Sequence, residues 1–351
     1  MQGNVITHLG YLPNTNIDPS GESSAVWGVS NDGTVAVGTS TSTDRSQPFG
    51  EPEAAIFKDD SVTGFGNPVP GALLIESRDI SADGTVAIGF GGGPTQNPYG
   101  FPPAIDSYLY SSGELTLLGH LPGSTTTLAN AVSADGTVVV GKSGSLGFIY
   151  RDGFITSVGD LAGGNISSVA SNISSDGTTV VGWSSSADGN EAFVHRNGTM
   201  TKLQDLAGGE VRSVALAASG DGSVIVGRGN IVAPPPFAFD FPVEGDEAVL
   251  WQEASDGSFS VNRLIDILLS QGVDAVAEGW SSLLEIRDIS DDGTQLIGEG
   301  LRDGSYAYFA VSLDTTEVPI PAAVYLFCSS LLALQTMRRL RRKPKSDNCF
   351  G

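Results

Sequence analysis

The groups best suited to proton transfer are three histidines, His8, His120 and His195, in a chain that carries 40 Asp and Glu among 351 residues. A catalytic imidazole needs a partner group fixed beside it. None of the phrases that supply one is present: no H-E-x-x-H, no G-x-S-x-G and no P-loop. Aligned on the internal repeats described below, His195 falls where other copies carry Phe57, Tyr110, Tyr150 and Trp251. His120 falls where they carry Tyr11, Asp160 and Asp205, and His8 lies opposite Leu117, Ser157 and Lys202. All three read as variants of structural positions, so no catalytic residue is assigned and the chain is read as a non-enzyme.

Carboxylates invite a second chemistry. Aspartate precedes glycine at Asp32-Gly33, Asp83-Gly84, Asp135-Gly136, Asp176-Gly177, Asp221-Gly222 and Asp292-Gly293, each within S-x-D-G. Calcium needs several oxygen ligands on alternating positions, and S-x-D-G supplies one carboxylate per copy. Asp291 with Asp292 is the nearest approach to a pair. The aspartates are therefore assigned to turns, with no metal or cofactor. Asp240, Glu244, Asp246 and Glu247 cluster near an insertion, where they suit weak, nonspecific collection of divalent cations. The rival reading is a carbohydrate-active propeller enzyme, a lyase or hydrolase. It requires two mouth carboxyls roughly 5 to 9 Å apart, one with a raised pKa.

The elements that must position these groups follow from the repeat. SNDGTVAVG, SADGTVAIG, SADGTVVVG, SSDGTTVVG, SGDGSVIVG and SDDGTQLIG are six versions of one phrase. Asp-Gly between alternating Val-rich runs is a hairpin signal, and the expected connection is a type I′ turn with both residues at positive φ. The six aspartates lie 51, 52, 41, 45 and 71 residues apart, spacings that suit four-stranded propeller blades. The sixth copy stops after YAYFAVSL, one strand short, while ITHLGYLPN near Met1 matches the fourth-strand phrases LTLLGHLPG and ITSVGDLAG. The expectation is an all-β chain: a closed six-bladed β-propeller over residues 1–314 whose N-terminal strand completes the last blade. A repetitive β-sandwich or solenoid is the alternative. Copy five carries an insertion with Pro234, Pro235 and Pro236, which exclude helix, and then Leu264, Ile265, Ile267, Leu268 and Leu269, which fit a short amphipathic helix. That pair is read as a packing elaboration in preference to a lid over the mouth.

A net charge of −22 argues against a nucleic-acid surface. The basic residues concentrate in Arg338, Arg339, Arg341, Arg342 and Lys343, behind an apolar run from Ala322 to Met337. At 1.5 Å per residue such a run approaches the thickness of a bilayer core, so residues 315–351 are read as linker, transmembrane helix and basic tail. The positive-inside rule puts the arginines in the cytoplasm. A helix capping the propeller is the alternative. The two cysteines, Cys328 and Cys349, cannot staple the body. MQGNVITHLGYLPN has neither a basic n-region nor an apolar h-region, so an export signal is expected upstream of a misassigned start.

On these residues the chain resembles two families. The six S-x-D-G segments, EAFVHRNG, the L-x-G-G connections at Leu161 and Leu206 and GVDAVAEGW are similar to the HAF family of bacterial extracellular repeats, from about Ile6 to Leu313. That resemblance implies an exported β-repeat protein and assigns no reaction. EVPIPAAVYLFCSSLLALQTMRRLRRKPK resembles the Val-Pro-[Leu/Ile]-Pro variety of PEP-CTERM sorting signal, with Val318, Pro319, Ile320 and Pro321 as the motif. It implies an exosortase-type processing enzyme, an inner-membrane anchor before processing, and the cell surface or extracellular matrix afterwards. Extracellular polysaccharide or another surface protein is the partner expected there.

Overall fold

The computed structural model describes residues 24–41, 52–59, 61–65, 74–92, 105–208, 211–230 and 245–313. The expected closing strand at residues 6–12, His8, the triple proline, Asp240, Glu244 and everything from residue 314 onward lie outside them, including the sorting motif, the apolar run and the arginines.

Among the described residues six sheets follow one another along the chain, antiparallel throughout except for one short parallel pair in the fourth. Sheet one holds β1 (Ser24–Val29), β2 (Val35–Thr41), β3 (Pro52–Lys58) and β4 (Ser61–Gly64). Sheet two holds β5 (Leu74–Ile80), β6 (Val86–Gly92), β7 (Ile105–Ser111) and β8 (Glu114–Leu117). Sheet three holds β9 (Thr127–Val132), β10 (Val138–Ser143), β11 (Leu146–Arg151) and β12 (Phe154–Gly159). Sheet four holds β13 (Gly163–Ile173), β14 (Val180–Ser186), β15 (Gly189–Arg196) and β16 (Thr199–Lys202), with β17 (Val211–Arg212) beside β15. Sheet five holds β18 (Val214–Ala218), β19 (Val224–Asn230), β20 (Asp246–Glu253) and β21 (Phe259–Arg263), followed by α1 (Leu264–Ser270). Sheet six holds three described strands, β22 (Trp280–Ile289), β23 (Gln295–Arg302) and β24 (Ser305–Ser312). Each sheet is a meander, so each repeat is one sheet and the core lies between sheets.

The branched residue before the last glycine of the phrase forms these contacts. Val37 packs with Ile80, Ile88 with Val132, Val140 with Ile173, Val181 with Ala218 and Val226 with Ile289, always across to the next sheet. Burying one such side chain is worth about 1.5–3 kcal/mol. The glycine that follows has its own reason. A Cβ on Gly38, Gly89, Gly141, Gly182, Gly227 or Gly298 would run into a carbonyl oxygen of the first strand. That close approach accompanies a β-bulge, since the first strands skip Trp27, Arg78, Asn130, Ser171, Leu216 and Arg287 in their pairing.

Helix α1 forms where expected and settles its role by burial. Leu264 and Leu268 are fully buried among Trp280, Leu283 and Phe309, so the helix packs on sheets five and six. No helix among the described residues is long and apolar enough to cross a membrane.

Candidate functional site

The S-x-D-G segments do join first to second strands, but not as type I′ turns. Gly33, Gly84, Gly136, Gly177, Gly222 and Gly293 all have φ between 70 and 72°, whereas none of the preceding aspartates is at positive φ. In the first copy Gly33 N–H donates to Ser30 O and Ser30 N–H to Val35 O, making a four-residue connection, 31–34, whose third residue is the left-handed glycine. The aspartate acts through its carboxylate instead. Asp135 Oδ1 accepts from Ser133 Oγ at 2.7 Å, Thr137 N–H at 3.0 Å and Thr137 Oγ1 at 2.8 Å. These bonds, the Ser133 hydroxyl first, hold its carboxyl below the usual range. Paired positive-φ turns occur elsewhere, at Ser112-Gly113, Asp152-Gly153, Asn197-Gly198 and Asp303-Gly304. The type I′ expectation therefore fails at all six S-x-D-G segments, and the Asp-Gly pairs with both residues at positive φ are Asp152-Gly153 and Asp303-Gly304.

The repeated turns gather around one axis. Asn31 N–H donates to Ala82 O (2.9 Å), Ala82 N–H to Ala134 O (3.0 Å), Ala134 N–H to Ser175 O (3.1 Å), Asp176 N–H to Gly220 O (3.1 Å) and Gly220 N–H to Asp291 O (2.9 Å). The Ser175 hydroxyl also reaches across to Asp291. Beside this chain of bonds lies a cavity of about 730 Å³ that takes lining residues from the first strand of every sheet. Trp27, Arg78, Asn130 and Arg287 line it from bulge positions. A bulge re-aims a side chain, and here it turns what would be ladder residues toward the axis.

The cavity mixes charges of both signs. Arg78 lies 3.3 Å from Glu76, with its guanidinium 5.0 Å from the Phe90 ring and 5.8 Å from the Trp27 ring. Arg287 sits 2.9 Å from Glu285 and 3.2 Å from Glu299. Burial pushes Asp79 up to about 6, although Val132 N–H and Ile80 N–H donate to its two oxygens at 2.9 and 2.8 Å. Asp288 is likewise raised by burial and accepts Ile289 N–H at 2.9 Å. These mouth residues were missed in the sequence, yet they have a signature: they are the second and third residues before the serine of each phrase.

The residues singled out earlier are dispersed. His195 is buried on β15 opposite Val180, as Phe57, Tyr110, Tyr150 and Trp251 stand opposite Ala36, Ala87, Val139 and Ile225. Burial lowers its pKa, and it lines a separate groove of about 830 Å³ with Arg151 and Phe154. His120 Nε2 lies 2.8 Å from Asp106 Oδ1. Asp246 and Glu247 do not offer themselves to solvent cations as expected: Asp246 accepts from Arg212 at 3.3 Å and Asn230 at 3.0 Å, and Glu247 lies 3.2 Å from Arg263. The guanidiniums compensate carboxylates that burial would otherwise make costly. Among the described residues no group of three His, Cys, Asp or Glu side chains is placed to hold a metal ion.

No family model matches this chain, and no curated protein matches it. Among solved structures it is similar to TolB from Acinetobacter baumannii, at 12% identity over 69% of this chain and 54% of that one, TM-score 0.38. The chain thus spans about half the length of that protein. It is also similar to an oligogalacturonate lyase in complex with manganese, at 11% identity over 82% of this chain and 73% of that one, TM-score 0.45. The hydrazine synthase of Kuenenia stuttgartiensis matches at 11% identity over 87% and 81%, TM-score 0.42. At these levels the likenesses bear on no reaction or ligand. On its own geometry, six antiparallel sheets with their first strands about one axial cavity, the chain has β-propeller architecture.

Proposed function

We propose that this protein is an exported, non-enzymatic binding module: a closed six-bladed propeller that engages an extracellular polysaccharide, or another surface protein, through its axial mouth. The observation that carries this reading is the cavity to which all six sheets contribute, with Arg78, Arg287, Asn130 and Asn172 beside the exposed Trp27. An indole face with donors and acceptors around it suits a sugar ring, whose faces are apolar and whose rim is hydroxylic. Titration of the protein with neutral and acidic polysaccharides tests it. Binding without chain cleavage, weakened at least about tenfold by Trp27→Ala, is expected, equivalent to roughly 1.4 kcal/mol. Binding that ignores Trp27→Ala places the ligand elsewhere.

Asp79 and Asp288, both raised, favour the carbohydrate-active enzyme as the second reading. Against it, both oxygens of Asp79 are occupied by main-chain N–H groups, which hold the carboxyl in a structural role. Release of new chain ends from a polysaccharide, abolished by Asp288→Asn, would establish the enzyme.

The HAF and PEP-CTERM resemblances supply the proposed location. The segment 322–337 holds the protein in the inner membrane, with Arg338, Arg339, Arg341, Arg342 and Lys343 inside, until an exosortase-type enzyme cuts near Val318–Pro321. Changing Pro319 and Pro321 to Ala should accumulate uncut protein in the inner membrane. Residues 6–12 are proposed to pair with β24 and complete sheet six. Deleting residues 1–13 should then lower the melting temperature, and unchanged melting would refute the strand swap.

A further inference from the structure

Five contacts between consecutive sheets repeat the same four features, and the facing sides of sheets six and one show none of them among the described residues. The branched residue before the phrase's last glycine is fully buried at Val37, Ile88, Val140, Val181 and Val226, but its sixth counterpart, Ile297, is 51% exposed. The residue before the phrase's serine is buried at Ile80, Val132, Ile173, Ala218 and Ile289, but in sheet one Val29 is 60% exposed. A Cβ on the turn glycine would touch the preceding sheet at Gly84, Gly136, Gly177, Gly222 and Gly293, whereas Gly33 has nothing within 4 Å. Likewise the main-chain bonds between turns run from Asn31 to Asp291, and among the described residues none joins Asp291 back to Asn31.

The two exposed faces are complementary halves of the same contact. In every other pair, the position of Ile297 packs against the position of Val29 on the next sheet. Val29 and Asn31 of sheet one line the axial cavity together with Arg287, Ile289 and Asp291 of sheet six, so the first strands of the two sheets stand at one mouth. A second copy would have to find these faces from solution, while the chain's own sheets are tethered at its mouth. Tyr308, exposed on β24, stands where the other sheets carry Ala54, Ser107, Gly147, Ala192 and Ala248. It enlarges the sixth sheet's face, while Ser24 at the start of β1 is small.

We propose that sheets one and six of the same chain are each other's docking surface, with Ile297 seated against Val29 and the turn at Gly33 against sheet six. Closure brings Val29 N–H to the Asp288 carboxylate, as Val132 N–H meets Asp79, and completes the wall of the mouth between Trp27 and Arg287. This deepens the closed-ring reading above but does not depend on the strand swap at residues 6–12.

The test is a double-mutant cycle with thiol labelling, in a background with Cys328→Ser and Cys349→Ser. Val29→Lys and Ile297→Glu should each lower the unfolding midpoint, and the double variant should recover much of the loss through the new ion pair. Ile297→Cys should label with maleimide as slowly as the buried Val37→Cys, at a rate independent of protein concentration. Single variants without effect, together with Ile297→Cys labelling as fast as the exposed Phe154→Cys, would overturn the proposal. Protection that appears only at high protein concentration would overturn it in favour of a second copy. Truncation of residues 1–13 reports on the strand swap alone, so the two readings fail separately.

Discussion

Asp79 offers the sharpest test of how the mouth is built. Burial pushes its carboxyl up from the ordinary 3.8 to about 6. Because the folded value is raised, the folded state holds the proton more tightly than the unfolded chain. The associated stability is fully present below about pH 4 and is lost as pH rises through 6. The gap of about 2 pH units corresponds to at most about 3 kcal/mol, and solvent screening of a half-buried residue at an open cavity brings this toward about 1 kcal/mol. In Asp79→Asn the amide oxygen can still accept Ile80 N–H, as Asn172 Oδ1 accepts Ile173 N–H at 2.6 Å. Its NH₂ then faces Val132 N–H, a loss that does not vary with pH. Urea unfolding of both proteins between about pH 4 and pH 7 should show the wild type's advantage shrinking by roughly 1–3 kcal/mol as pH rises. An offset that stays flat, or that grows with pH, refutes the assignment of a buried, proton-retaining carboxyl at this position.

Leu268→Ala should cost about 2–5 kcal/mol in the same assay, because the side chain is fully buried between α1 and sheets five and six; a change under about 1 kcal/mol would make the helix peripheral. Gly136→Ala should be more costly than Gly113→Ala by at least about 1 kcal/mol. Both glycines have positive φ, at 72 and 86°, but the new Cβ meets Val86 Cγ2 at 2.6 Å only at Gly136. Equal midpoints would remove the turn from the inter-sheet contact. Arg228→Met should destabilise by at most about 3–5 kcal/mol, because it removes the buried partner of Glu285 and leaves that carboxylate only the more exposed Arg287, 2.9 Å away. Adding Glu285→Leu should restore part of that loss, and failure to do so would mean the pair is held by something other than mutual charge.

The repeat was legible in the sequence because its elements are local. Alternation such as TVVVG and the short spacing between S-x-D-G and the following glycine specify strand, connection and strand within one sheet, and those hairpins are where they were expected. The buried role of α1 was readable too, since Leu264 and Leu268 share one face at helical spacing. The turn type was not, because serine and threonine hydroxyls capture the Asp carboxylate and favour a longer connection over the Asp-Gly preference for a type I′ turn. The mouth was invisible for a different reason. Trp27, Arg78, Asn130 and Arg287 sit at bulges, where the two-residue alternation breaks, and they meet only because six sheets far apart in sequence turn their first strands to one axis. Local pattern therefore determined what each repeat is, while the packing of one repeat on the next decided which side chains share a cavity and which, Val29 and Ile297 among them, stand exposed.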